Sequence, residues 1–183
     1  MDVLNLVKNC SIRIKSLFLQ MMLKFKYILL LLCVVGFFAA CKKDEAVEDY
    51  DPTPQFKADT AAIGAFVKAN NISGIKDPSG IFYQIIAPGS GSITYTTSTQ
   101  ITADYEGKLL NGTLFDSSKG TPIKFSLGGV IAGWQFGIPK IQKGGKIRLI
   151  IPSYYAYGTR SPSSLVPANS ILDFNITLTD VTN

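Results

Sequence analysis

From Leu172 to Thr179 every second residue is apolar: Leu172, Phe174, Ile176 and Leu178 alternate with Asp173, Asn175, Thr177 and Thr179. A period of two puts one set on each side of an extended chain, as a strand with one buried and one wet face requires. The period recurs in Ile81, Tyr83 and Ile85. It recurs again in Thr99, Ile101, Ala103 and Tyr105 against Gln100, Thr102, Asp104 and Glu106, and in Ile147, Leu149 and Ile151 against Lys146 and Arg148. None of these is the continuous apolar run of a parallel sheet, so the strands are expected to pair antiparallel. Pro88-Gly89 ends the first strand, and Asn111-Gly112 reads as the positive-φ pair of a tight hairpin turn before residues 113–116. Between strands only Gly129 to about Ile141 suits a helix, limited by Pro139. The expected architecture is α+β: a curved antiparallel sheet of about five strands wrapped around one short α-helix. Ahead of it, Asp59 is expected to cap an extra N-terminal helix running to about Lys68. Ile63, Phe66 and Val67 lie on one face of that helix, Asn70-Asn71 end it, and Asp77-Pro78-Ser79-Gly80 form a turn.

What the 183-residue chain lacks bounds its chemistry. It has no histidine, which removes Ser-His-Asp and Cys-His triads and histidine-bearing metal sites. The formal charge of +5 is concentrated at one end. Lys8, Arg13, Lys15, Lys24 and Lys26 stand against Asp2 in residues 1–40, whereas residues 41–183 carry 13 Lys or Arg against 12 Asp or Glu. With no basic run beyond Lys42-Lys43, a nucleic-acid partner has no electrostatic warrant. Gly128-Gly129, Gly133 and Gly144-Gly145 match neither phosphate-binding glycine pattern and read as turn glycines. Asp104 and Glu106 share a polar strand face and read as a solvated edge, not a hydrolytic pair with Asp116. Neither a metal nor an organic cofactor is expected.

Residues 27–40, YILLLLCVVGFFAA, follow Lys24 and Lys26 and carry no charge. Basic residues, an apolar run and small residues before a cut site form a signal-peptide pattern, and the run is shorter than the ~18 residues of a membrane span. A retained anchor helix is the alternative. Phe38-Ala39-Ala40-Cys41 resembles a bacterial lipobox, with Phe38 where Leu is usual. Cleavage before Cys41 would leave that cysteine alone, free to accept a diacylglycerol and without a partner for a disulfide. Met21 or Met22 begins a conventional leader, so residues 1–20 read as an over-extended start. Lys42-Lys43-Asp44-Glu45 with Glu48, Asp49 and Asp51 resembles the export tag of surface-exposed lipoproteins in the Bacteroidetes; a solvated tether explains it equally. The expected organisation is a signal peptide at 21–40, an acidic flexible linker at 41–56, a helix and turn at 57–79 and the main domain at 80–183. The expected location is the cell envelope at a membrane surface, the outer membrane first, with periplasmic and exterior sides both open.

Aromatic residues stand outside the strand cores at Phe115, Phe125, Trp134, Tyr154, Tyr155 and Tyr157. Trp134 falls in the short helix, Tyr157 in a glycine-bounded loop and Phe115 after a turn, so three segments could converge on one apolar cup.

Four stretches carry a resemblance: YEGKLLNGTLFDSS (105–118), FSLGGVIAGWQFGI (125–138), GGKIRLIIPSYYAYG (144–158) and LVPANSILDFNITL (165–178). In this order and near this spacing they resemble the FKBP-type peptidyl-prolyl cis-trans isomerases, the immunophilins that bind macrolide immunosuppressants. The resemblance spans residues 80–181. It implies a curved antiparallel sheet over one helix, isomerase activity on X-Pro bonds, and proline-containing polypeptides or macrolide-type ligands as partners of a monomer. Carried over, Trp134 is the floor of the prolyl pocket, with Tyr105, Phe115, Val130, Ile131, Tyr157 and Phe174 as walls and Asp116 at the rim. Tyr105, Phe115, Asp116 and Tyr157 are the catalytic candidates. Phe125 matches a position near the base, Ile123 replaces a frequent Phe, and Leu165 and Val166 match a loop tip that overhangs substrate. Ala132 replaces a frequent Arg, and Pro162 falls where a loop His is sometimes found.

Two other readings use the same residues. One is a lipoprotein that binds a peptide or small molecule in the cup without catalysis. The other is a structural surface lipoprotein whose aromatic residues are only core.

Overall fold

The computed structural model describes residues 53–183. Among the described residues the seven strands are β1 (Ile75–Lys76), β2 (Phe82–Ala87), β3 (Gln100–Leu109), β4 (Leu114–Ser117), β5 (Ile123–Ser126), β6 (Lys146–Ile151) and β7 (Leu172–Thr182). They form one antiparallel sheet in the order β1-β2-β6-β7-β3-β4, with β5 also on β3. Among the described residues the α-helices are α1 (Thr53–Ala69) and α2 (Ala132–Gly137). The α+β expectation therefore holds, with seven strands in place of about five. β1 has two residues and β5 four, and both are largely exposed, so neither shows the run of buried alternate residues that marks a strand in sequence.

Alternation positions the core. Ile147, Leu149 and Ile151 on β6 and Leu172, Phe174, Ile176 and Leu178 on β7 are buried on one face with Ile101, Ala103 and Tyr105 of β3. Register aligns them: Leu149 lies opposite Phe174, Ile147 opposite Ile176, and Tyr105 opposite Ile176 from the other side. Helix α2 covers this face with Trp134 buried. Ile150, between Leu149 and Ile151, necessarily points the other way. It packs there with Phe82 and with Ile63 of α1.

The N-terminal helix differs from expectation. It starts at Thr53, not Asp59, so the linker expected through Phe56 gives way to helix. Pro54 accounts for this, because its fixed φ and missing N–H suit the first helical turn. Asp59 caps nothing; it lies within α1, buried against the main domain. The end is as read: Asn71 takes φ 51°, the left-handed conformation that stops a helix.

The hairpin after β3 is also different. Only Gly112 has positive φ (87°), while the Asn111 side-chain oxygen accepts the Thr113 amide at 3.0 Å. A turn closed by Gly112 N–H to Leu109 O, followed by one left-handed residue, makes a three-residue loop in place of the two-residue turn.

Candidate active site

Helix α2 is only six residues long, and its placement rests on two glycines. A Cβ on Gly133 would lie 2.6 Å from Ile151 Cδ1, and one on Gly137 would lie 2.5 Å from Leu149 Cδ2. Their lack of side chains lets the helix lie directly on β6, which lowers Trp134 to the sheet. Gly133 is therefore a helix-packing glycine, not the turn glycine expected.

Around Trp134 the rings meet edge to face. Its centroid is 5.3 Å from Tyr105, 5.3 Å from Phe174 and 5.8 Å from Phe125, with interplanar angles of 85°, 85° and 78°. Such contacts set the positive edge of one ring against the negative face of another. They enclose a cup of about 250 Å³ lined by Tyr105, Asp116, Phe125, Gly129, Val130, Ile131, Trp134, Tyr157 and Phe174. The Trp134 indole N–H is buried with no protein acceptor.

The Tyr105 and Tyr157 hydroxyls and the Asp116 carboxylate belong to residues that line the cup. Tyr105 donates its hydroxyl to Asp116 Oδ2 at 2.9 Å, tying exposed β4 to β3. Burial, then the Asp116 hydrogen bond and charge, push the Tyr105 pKa up to about 12. The Tyr157 phenol is also raised, by burial first and the Asp116 charge second, with Arg160 opposing. Both tyrosines therefore keep their protons at neutral pH, and both line the cup.

Not every candidate lines this cup. Phe115 is half-buried, with its ring 5.5 Å from Phe174, and is not among the residues that line the cup. Ile123 is 40% exposed on β5, and Leu165 is 50% exposed on its loop. Val166 is buried in the main core, so its side chain does not overhang the opening. Gly129 lines the cup and was not singled out for it; the paired Gly128-Gly129 before Val130 was the available signal. A larger depression of about 430 Å³ includes Asp104, Glu106, Lys119 and Lys146. Its strand charges belong to the wet face and Tyr105 is the one aromatic residue in its lining, so the smaller cup, with five aromatic residues, is the better candidate.

Comparison with known proteins agrees with the fold. The family model for FKBP-type peptidyl-prolyl cis-trans isomerase matches residues 91–179. FkpA, an FKBP-type peptidyl-prolyl cis-trans isomerase of Buchnera aphidicola subsp. Schizaphis graminum, is 46% identical over 119 residues, 63% of this chain and 47% of that one. FK506-binding protein 1 of Saccharomyces cerevisiae is 45% identical over 100 residues, 52% of this chain and 88% of that one. The crystal structure of Escherichia coli FkpA superposes with a TM-score of 0.57 at 34% identity, covering 71% of this chain and 64% of that one. The chain spans about half the length of the Buchnera relative. Nearly half of its residues match the family model and it covers most of the yeast protein at high identity, so the chain belongs to the FKBP-type peptidyl-prolyl cis-trans isomerase family.

Proposed function

We propose that this protein is a peptidyl-prolyl cis-trans isomerase acting on X-Pro bonds of envelope or exported polypeptides. The observation that carries this reading is the cup of about 250 Å³, walled by five aromatic residues with Val130 and Ile131 and with Asp116 as its one charged residue. An X-Pro bond turns slowly because its partial double bond must be broken, over a barrier of roughly 18 to 20 kcal/mol. At the twisted transition state amide resonance is lost, so the imide is less dipolar than the planar ground state. A water-poor wall of rings then favours the transition state over the ground state, which is the condition for acceleration.

In this reading the pyrrolidine ring rests on Trp134 between Tyr105, Phe125, Val130, Ile131 and Phe174. Tyr157 donates to the carbonyl before proline and holds it while the bond turns. Asp116, held by Tyr105, orients the peptide at the rim, and Phe115 supports Phe174 from behind. No proton moves and no covalent intermediate forms. Shortening tens of seconds to milliseconds needs ~10⁴-fold acceleration, about 5.5 kcal/mol, within reach of desolvation and one or two hydrogen bonds. The same cup would accept macrolide immunosuppressant-type ligands.

The test is cis-to-trans conversion of a proline-containing peptide by the full chain. The catalysed rate should be level between about pH 6 and 9, because the chain has no histidine and both rim tyrosines are held above their ordinary value of 10.0. A folded chain giving only the uncatalysed rate overturns the reading. If the fluorescence of Trp134, the sole tryptophan, still responded to a macrolide, the protein would be a binding module.

The envelope assignment rests on Cys41, which lies outside the described residues. In this reading it carries a diacylglycerol and an N-acyl chain, and at about 0.8 kcal/mol per buried methylene three chains hold far more firmly than one. Cys41→Ser should abolish incorporation of labelled fatty acid and release the protein from membranes. Absence of label from the unaltered protein would remove the anchor while leaving the isomerase reading intact.

A further inference from the structure

The loop that carries Tyr157 is held from α1, an element outside the stretch matched by the family model. Asp59 of this helix is 3% exposed and Ser153 is 2% exposed. Asp59 Oδ2 accepts both the Ser153 amide, at 2.8 Å, and the Ser153 hydroxyl, at 2.6 Å, while Oδ1 accepts Gln55 Nε2 at 2.7 Å. A buried carboxylate thus has a donor on each oxygen.

Ser153 in turn grips the loop. Its carbonyl accepts the amides of Ala156, at 2.9 Å, and Gly158, at 2.8 Å. Those two residues flank Tyr157. Gly158 O accepts the Asn169 amide at 2.7 Å, closing the loop on its far side. Phe56, one turn before Asp59, packs edge to face on Tyr154 and Tyr155 with centroids 6.1 Å apart in each case. The helix therefore fixes both the donors and the rings of residues 153–155, immediately before the pocket tyrosine.

We propose that Asp59 is a positioning residue for the cup, acting through Ser153 to set the height and direction of the Tyr157 hydroxyl. The catalytic part of this inference rests on the isomerase reading. A hydroxyl that must meet one carbonyl during a rotation tolerates little displacement, and misplacement by about 1 Å can cost up to 10²-fold in rate. Loss of the carboxylate would leave the Ser153 amide and hydroxyl buried and unpaired, so the turn would shift to find water.

The experiment compares Asp59→Ala, Asp59→Asn, Tyr157→Phe and the double variant Asp59→Ala/Tyr157→Phe in the full chain, below the melting temperature of each. Asp59→Ala should lower kcat/KM about tenfold. Asp59→Asn, whose amide oxygen can take the place of Oδ2, should retain most of the rate. In the Tyr157→Phe background the same Asp59→Ala change should cost little further, because the two act as one unit. Full activity in folded Asp59→Ala, or losses that simply multiply, overturns the proposal. If Asp59→Ala does not fold, Ser153→Ala, which removes only the hydroxyl, takes its place with a smaller expected loss in the same pattern.

Amide exchange read by NMR separates this inference from the activity itself. Exchange at Ala156 and Gly158 should accelerate in Asp59→Ala while Ile147 and Ile176 in the sheet stay protected. Unchanged exchange at the two loop amides overturns the positioning role even in an active enzyme. Were the unaltered chain to show only the uncatalysed rate, the isomerase reading would fall, and faster loop exchange would still establish the Asp59 link to Tyr157.

Discussion

Phe174→Ala should lower stability by about 3 to 5 kcal/mol, the cost of truncating a fully buried ring. Phe174 is 4% exposed and sits at the centre of the aromatic set, with ring centroids 5.3 Å from Trp134, 5.5 Å from Phe115 and 6.3 Å from Tyr105. Its strand is central as well, with β6 on one side and β3 on the other, so the sheet cannot collapse into the space left behind. The cavity opens beside the pocket floor, and the isomerisation rate of the surviving folded protein should fall by more than tenfold. Urea unfolding followed by Trp134 fluorescence measures the first effect and the proline-peptide assay the second. Phe115→Ala should cost clearly less in both, because Phe115 is half-buried and packs on Phe174 from an exposed edge strand. A stability loss under about 1.5 kcal/mol for Phe174→Ala would mean that the ring is not the core of the cup.

The second large effect is expected at Gly133. Alanine there gains up to about 1 kcal/mol of helix propensity, but its Cβ would press on Cγ1, Cδ1 and, closest, Cγ2 of Ile151, a fully buried side chain. Overpacking a dense core costs about 1 to 3 kcal/mol, and a β-branched side chain has few other rotamers to retreat into. The clash should win, by up to about 2 kcal/mol. The larger consequence is functional: relief requires α2 to rise from β6, and Trp134 rises with it, so the catalysed rate should drop at least tenfold. Gly64→Ala provides the contrast. Gly64 lies on the exposed face of α1 with nothing within 4 Å of its would-be Cβ, so propensity acts alone and stability should increase by up to about 1 kcal/mol. Thermal unfolding of the two variants decides the matter, and a Gly133→Ala protein as stable and active as its parent would show that the helix does not need the close approach.

These two sites show how differently parts of the protein can be read in advance. The buried face of β7 is visible as alternate apolar residues, because a strand's side-chain period assigns each residue to one face whatever it packs against. Phe174 was accordingly placed inside from sequence. That Gly133 marks helix against sheet was not legible, since a glycine needed for close approach and one needed for a turn look alike in sequence. β1 and β5 were missed for a related reason. They are short and exposed, and exist as strands only because β2 and β3 offer them edges to pair with.

The candidate site divides along the same line. Family motifs led to Tyr105, Asp116, Phe125, Val130, Ile131, Trp134, Tyr157 and Phe174, and the fold gathers all eight around one cup. The same motifs led to Phe115, Ile123, Leu165 and Val166, of which Phe115 packs on Phe174, Ile123 and Leu165 are exposed, and Val166 is buried in the main core. A motif match transfers a position along the chain; depth and direction depend on the neighbours that a particular set of side chains packs against.

By itself, then, the sequence determined the strand faces, the antiparallel pairing and the residue types available to a pocket, with imidazole chemistry excluded. Those follow from local period and composition, which are present before any long-range contact forms. Only the tertiary structure decided that α1 begins at Thr53 and reaches across to the pocket loop, and that Asp59 serves Ser153, 94 residues away, instead of capping its own helix. A carboxylate near a helix start looks like a cap in sequence, and it becomes a buried acceptor only when packing brings it a better donor.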